Sequence, residues 1–147
     1  MSRSSRRTAL AAAALTALLL SAAPGFAATQ DYVADLSGAK EVPPNDSKGT
    51  GALNASYDTA SKKFTYTVTY RGLTGAATAA HFHGPAAAGA NAAPVVPIPA
   101  DKLASPIKGE ATLTDAQAAD LAAGKWYFNV HTAAHGPGEI RGQVEKK

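Results

Sequence analysis

Lys63-Phe64-Thr65-Tyr66-Thr67-Val68-Thr69-Tyr70 is the stretch that decides how this chain is read. Phe64, Tyr66, Val68 and Tyr70 alternate strictly with Lys63, Thr65, Thr67 and Thr69. Successive side chains of a β-strand point to opposite faces, so this period of two gives one aromatic, β-branched face and one polar face. That is the signature of a half-buried strand in an antiparallel sheet. Gly72 closes the strand, and Asp58-Thr59-Ala60-Ser61 before it reads as a hairpin turn leading back to a second strand over residues 51–57.

Working outward, the same texture continues. Residues 32–36 read as a first strand, followed by the proline-rich loop Val42-Pro43-Pro44-Asn45-Asp46. Residues 76–83 form a strand of small residues, and residues 84–91 an Ala- and Gly-rich loop. Residues 94–99 carry Val95, Val96 and Ile98 but three prolines, which fits only an edge strand or an extended segment. Residues 107–113 are another strand. Thr114-Asp115-Ala116-Gln117 then forms a capping box, in which Thr114 accepts from the third helical amide and Gln117 reaches back. A short helix over 115–123 ends at Gly124. In the strand over 125–132, Trp126, Phe128 and Val130 share one face and Tyr127, Asn129 and His131 the other; residues 138–145 are the last strand. The expected fold is all-β, an antiparallel β-sandwich or barrel with one short helix. No internal repeat period is visible.

The amino terminus has a different character. Arg3, Arg6 and Arg7 precede an unbroken Ala, Leu, Thr and Ser run over 8–23, and Pro24-Gly25-Phe26-Ala27 supplies small residues before a cut after Ala27. Residues 1–27 therefore read as an export signal peptide and 28–147 as one domain. The apolar run is short and alanine-rich, so a stable membrane span after cleavage is not expected. The general secretory route is the expected one, with the Arg6-Arg7 pair leaving twin-arginine export as the alternative. The expected location is the periplasm, the cell envelope or the exterior.

The signal holds three of the 14 Lys and Arg and none of the 11 Asp and Glu, leaving a balanced domain of 11 basic and 11 acidic residues. The net charge of +3 belongs to the leader. No basic stripe remains for nucleic acid. Cysteine is absent and Met1 is the sole methionine, which excludes disulfides, thiolate catalysis and sulfur ligands. A single domain of this kind is expected to be a monomer.

All four histidines fall in two segments, Ala80-His81-Phe82-His83-Gly84-Pro85 and Val130-His131-Thr132-Ala133-Ala134-His135-Gly136-Pro137. His81 and His83, two apart on a strand, point to one face and can offer two nitrogens to one ion. If the two segments are neighbours, His81, His83, His131 and His135 form one candidate metal site. A site of nitrogen ligands suits Cu(II), Zn(II) or Ni(II), with carboxylate or water completing the shell. Glu139 is the nearest candidate carboxylate, and Asn129 is placed to orient a ligand. Glu139 and Arg141, two apart, are expected to share a face and hold the turn through an ion pair, or to bind a ligand carboxylate. Other readings stay open. The histidines can simply hydrogen-bond turn backbone, as in a structural or adhesive envelope protein, one can act as a catalytic base, or the metal can serve a redox or hydrolytic enzyme. Whether the protein is an enzyme is left open by the sequence. Trp126 reads as core rather than as a ligand-stacking ring.

The segments His81-Phe82-His83-Gly84-Pro85-Ala86, Trp126-Tyr127-Phe128-Asn129-Val130-His131-Thr132 and Gly138-Glu139-Ile140-Arg141-Gly142-Gln143 resemble the CHRD domain. That domain is repeated in chordin and found singly in many exported bacterial proteins. Leu36-Ser37-Gly38-Ala39-Lys40-Glu41-Val42-Pro43-Pro44 resembles the family's opening segment, so the likeness covers nearly all of 28–147. It implies a β-rich extracellular domain, with no settled biochemical activity for the bacterial members. The expected function is an exported binding module whose target is a metal ion or an envelope or extracellular partner. The chain lacks the cysteine-rich modules of the animal protein, so growth-factor binding is not implied. The His-x-His strand is also similar to that of Cu,Zn superoxide dismutase. The disulfide cysteines of that family are missing, and four histidines are too few for its two metals.

Overall fold

The computed structural model describes residues 28–147; the expected signal peptide lies outside the described residues. Eight strands form one antiparallel sheet: β1 (Thr29–Ser37), β2 (Thr50–Asp58), β3 (Lys63–Arg71), β4 (Ala77–His83), β5 (Pro94–Pro97), β6 (Ile107–Thr112), β7 (Trp126–Thr132) and β8 (Ile140–Lys146). Their order across the sheet is β5-β4-β7-β8-β1-β2-β3-β6. The sheet curls until side chains from both edge regions, Val96 and Ile98 on one side and Ile107 on the other, join a single apolar cluster. The result is a nearly closed barrel rather than two separate sheets.

The alternation read in the sequence governs the packing. Phe64, Tyr66 and Val68 of β3 face inward with Leu53, Ala55 and Tyr57 of β2, and all are buried. Phe82 of β4 and Trp126, Phe128 and Val130 of β7 line the opposite wall. The two walls meet edge to face. The Phe82 ring lies 5.2 Å from Phe64, 4.9 Å from Tyr66 and 4.7 Å from Phe128 between centroids. That geometry sets positive ring edges against negative ring faces. Trp126 is therefore core, as its strand position indicates.

The one α-helix among the described residues, α1 (Asp115–Ala122), starts with the expected capping box: Gln117 N donates to Thr114 Oγ1 and Thr114 N donates to Gln117 Oε1. It buries Leu121 against the barrel and stops at Ala123, before Gly124 in the left-handed region at φ 68°. The Pro94–Pro97 segment is an edge strand, where missing amide donors cost little.

The two halves of the sheet, β5-β4-β7 and β1-β2-β3-β6, are joined by β8. This strand pairs with β7 over five positions, from Trp126↔Val144 to Val130↔Ile140, and with β1 at only three. The two backbones come close at Gly142, where a Cβ would sit 2.5 Å from the Asp35 carbonyl oxygen. Backbone cannot swing aside as a side-chain tip can, so Gly142→Ala should force β1 and β8 apart. We expect a loss of about 2–3 kcal/mol in urea unfolding, in the range of an overpacked core.

Candidate metal centre on the outer face of the sheet

The pairing of β4 with β7 places Phe82 opposite Phe128, His81 opposite Asn129 and His83 opposite Tyr127. Because Phe82 and Phe128 point into the barrel, the residues on either side of them point out. His81, His83, Asn129 and His131 thus share one outer patch. His81 Nδ1 lies 3.2 Å from His131 Nε2. The His81 ring is 5.1 Å from that of His131 and 5.3 Å from that of His83. One nitrogen from each of the three rings falls within 4.8 Å of the other two. His83 is buried, whereas His81 and His131 are half-buried, so the cluster opens outward.

Backbone carbonyls orient two of these rings. His131 Nδ1 lies 2.8 Å from Gly136 O, and His83 Nδ1 lies 2.9 Å from Ala92 O. The Gly136 carbonyl fixes the His131 proton on Nδ1 and leaves its Nε2 with a lone pair. His131 Nε2 is then the acceptor for a proton on His81 Nδ1. His83 Nε2 is 3.0 Å from Asn129 Oδ1, so both nitrogens of this ring face oxygen acceptors and its Nε2 is engaged by Asn129. Burial favours the neutral form of both His81 and His83. Repulsion from neighbouring imidazoles acts the same way, so both titrate below the usual histidine range. For His83 the hydrogen bonds to Ala92 and Asn129 oppose the shift without cancelling it.

His135 is not brought into the cluster. Among the described residues, the imidazoles that converge are His81, His83 and His131. His135 contributes backbone instead: its carbonyl accepts from Thr132 N and Gly138 N, and its own N–H donates to Thr132 O. Those bonds shape the turn that delivers Gly136 O to His131.

Glu139 and Arg141 do not form the expected ion pair. Glu139 precedes β8, so strand alternation does not control its direction. Its carboxylate enters a cage of donors. Ser47 Oγ (2.6 Å) and the Thr74 amide (2.8 Å) bond Oε1, while Thr74 Oγ1 (2.8 Å) and Thr132 Oγ1 (2.6 Å) bond Oε2. Burial opposes its charge, but the bonds from Ser47, Thr132 and Thr74 outweigh that penalty and hold the carboxyl at about 2. It is spoken for as an anchor and is not free to serve as a metal ligand. Arg141, also buried, lies across the Tyr127 ring with its guanidinium carbon 3.4 Å from the centroid. Its NH1 and NH2 donate to Asn91 Oδ1 (2.8 Å) and Ala90 O (2.6 Å), which pins the loop over 84–93 to the sheet. The other face of Tyr127 stacks on His83, with planes 2° apart and centroids 4.6 Å apart. Tyr127 thus sits between an imidazole and a guanidinium.

Two participants went unread in the sequence. Tyr127 shares the strand parity of Asn129 and His131, which was a usable signal. Glu41 gave none: it follows a 3-10 turn, Gly38–Lys40, and is 5% exposed. Its carboxyl lies against Gly138, whose φ of 142° and missing side chain leave the space. Glu41 Oε1 has no hydrogen-bond partner. Burial lifts this carboxyl to about 7, although Arg141, Asn129 and the Val42 backbone pull the other way.

Residues 32–144 match a family model described as the CHRD domain. No curated protein and no solved structure matches the chain.

The two buried carboxyls make opposite contributions to stability. Glu139 has a depressed folded value, so its stabilisation is present above about 4.5 and is lost as pH falls toward 2. Glu139→Gln should cost about 2–3 kcal/mol at pH 7 and flatten the acid limb of the stability curve. Glu41 has a raised folded value, so folding favours its proton and stability drops as pH rises from about 4.5 to 7. Glu41→Gln should stabilise by about 1–3 kcal/mol at pH 8 and give no benefit at pH 4. Urea unfolding across that pH range checks both signs.

Proposed function

The chain belongs to the CHRD domain family, and from that premise and the outer-face imidazoles we propose an exported binding module that takes Cu(II) or Zn(II) on His81, His83 and His131. The observation that carries this reading is the convergence of one nitrogen from each ring within 4.8 Å. Two ligand nitrogens at about 2.0–2.1 Å from a tetrahedral ion stand about 3.3 Å apart. The 3.2 Å between His81 Nδ1 and His131 Nε2 already matches that spacing. His83 would complete the triangle by exchanging its bond to Asn129 Oδ1 for the ion.

Three further features support it. The carbonyl bond of Gly136 holds His131 with its Nε2 lone pair turned toward the cluster, which is the usual outer-shell arrangement of a ligating imidazole. Depressed titration keeps His81 and His83 unprotonated, so little proton release opposes ligation at neutral pH. Three nitrogens on a half-open patch leave positions for water or a ligand from a partner. No fourth protein ligand is needed, and His135 and Glu139 are employed elsewhere. The leader read over 1–27 would deliver the module to the envelope or beyond, where its role would be to sequester or hand over the ion. Among the described residues no helix is long and apolar enough to cross a membrane.

A second reading has a specific observation behind it. His83 and His131 each tie a loop carbonyl to the sheet, which is what a purely structural histidine does. His81 separates the two readings, because among the described residues its ring hydrogen-bonds His131 alone. We expect His81→Ala to leave metal-free stability within about 0.5 kcal/mol of wild type while weakening Cu(II) or Zn(II) binding by at least about 100-fold in calorimetry. Wild type should gain about 3 kcal/mol at metal concentrations a hundredfold above Kd. Affinity should hold down to about pH 6 and then fall as the imidazoles take up protons. An absence of heat with wild type, or equal heats with His81→Ala, would leave the structural reading in possession.

A further inference from the structure

Asn129 stands between the imidazole patch and the carboxyl of Glu41, and the two ends of its amide face different neighbours. Oδ1 lies 3.0 Å from His83 Nε2. Nδ2 and Glu41 Oε1 share the space beside Gly138, both within 2.8 Å of the point that a Cβ on this glycine would occupy. His83, Asn129 and Glu41 are all buried, so water has little access to replace a bond that any of them lacks.

This row of groups is short of donors. A neutral imidazole carries one N–H. His83 faces two oxygens with it, Ala92 O at 2.9 Å and Asn129 Oδ1 at 3.0 Å. At the other end of the row Glu41 Oε1 has no partner. An ion changes the demand at one point. It takes the lone pair of His83 Nε2, which places the ring proton on Nδ1 and gives it to Ala92 O alone. Asn129 then loses its hold on the ring, and its Nδ2 stands beside an acceptor that has no donor. Buried polar groups settle where they find partners, and Glu41 Oε1 offers the amide one.

We propose that Asn129 is a latch on the metal site: in the metal-free protein it occupies His83 Nε2, and loading passes its amide from His83 to the Glu41 carboxyl. This inference rests on the metal-binding reading and adds two things to it. Asn129 competes with the ion for a ligand nitrogen, whereas an outer-shell partner on the opposite ring nitrogen would assist ligation. Occupancy of the outer patch is also felt at the segment over 39–46, which carries Glu41 and is fastened to the Gly138 and Glu139 carbonyls by Asn45.

The test titrates wild type, His81→Ala and Asn129→Ala with Zn(II) at one neutral pH, by calorimetry and by NMR of 13C,15N-labelled protein. Asn129→Ala removes a hydrogen bond that only the metal-free state makes, so it should bind Zn(II) about threefold to tenfold more tightly. A residue that merely oriented His83 would give the opposite sign. In wild type the Asn129 side-chain NH2 signals and the Glu41 carboxyl carbon should shift in step with the ring signals of His131. The Glu41 shift should be absent from Asn129→Ala, and all of these shifts should be lost at the same Zn(II) concentrations in His81→Ala. The wild-type spectra decide the matter even where Asn129→Ala fails to fold. No binding by wild type would remove the metal-binding reading and the latch together. Binding by wild type with a Glu41 carboxyl signal that stays in place at saturation would overturn the latch alone. So would equal or weaker affinity in a folded Asn129→Ala.

Discussion

Phe82 stacked edge to face against Phe128, on paired strands, is the contact from which the outer patch is built. The β4–β7 register is a matter of which residue faces which, and side chains alternate with a period of two. A slip of one residue would drive His81 and His83 into the barrel and expose Phe82. The aromatic cluster of Phe64, Tyr66, Phe82, Phe128 and Trp126 forbids that slip, because each ring already fills its place between the walls. The polar constellation is thus specified from behind. Packing inside the barrel decides that two imidazoles from one strand and one from the next share an outer surface.

The surface so created is unusual for the solvent side of a sheet, because much of it is buried. His83, Asn129, Tyr127 and Arg141 are all closed off from water. The loop over 84–93 covers them and is held by Arg141, by His83 at Ala92 O and by the Tyr127 hydroxyl to the Ala92 backbone. On the far side, Asn45 bonds the carbonyls of Gly138 and Glu139 and brings the 39–46 segment down over the same strands. The domain has in effect two cores, an apolar one within the barrel and a polar one under these two loops. A polar core specifies geometry only if its groups are satisfied. Glu139 meets that condition with four hydrogen bonds, while Glu41 Oε1 does not.

Much of the apolar core was legible in the sequence because it is written with local periodicity. The alternation of residues 63–70, the capping box at Thr114 and the parity of Trp126, Phe128 and Val130 each depend on neighbours a few positions away. The pairing of the two histidine segments needed one added assumption, that their strands lie side by side, and the first three imidazoles follow from it. His135 failed because its segment turns instead of continuing the strand, so the backbone rather than the ring was used. The Glu139–Arg141 pair failed because residues two apart share a face only inside a strand, and β8 begins between them at Ile140. Glu41 and the donors to Glu139 were out of reach. Ser47 and Thr74 lie 92 and 65 residues from Glu139, and no local pattern encodes a contact over such a distance.

The same bonds serve the structural reading of the histidines and the proposed metal-binding one, which explains why the two are hard to separate and why they are compatible. A carbonyl that fixes the Nδ1 proton of His131 steadies the turn over 132–138, and it also settles which nitrogen keeps its lone pair. The carbonyl of Ala92 likewise ties the His83 ring to the loop over 84–93. A ligand set assembled in this way loses little rotational freedom when an ion arrives, because the rings are already oriented by the fold. His81 is the exception, with no backbone partner and only the His131 ring to lean on. Its position is the one in the triad that folding leaves for a ligand to fix.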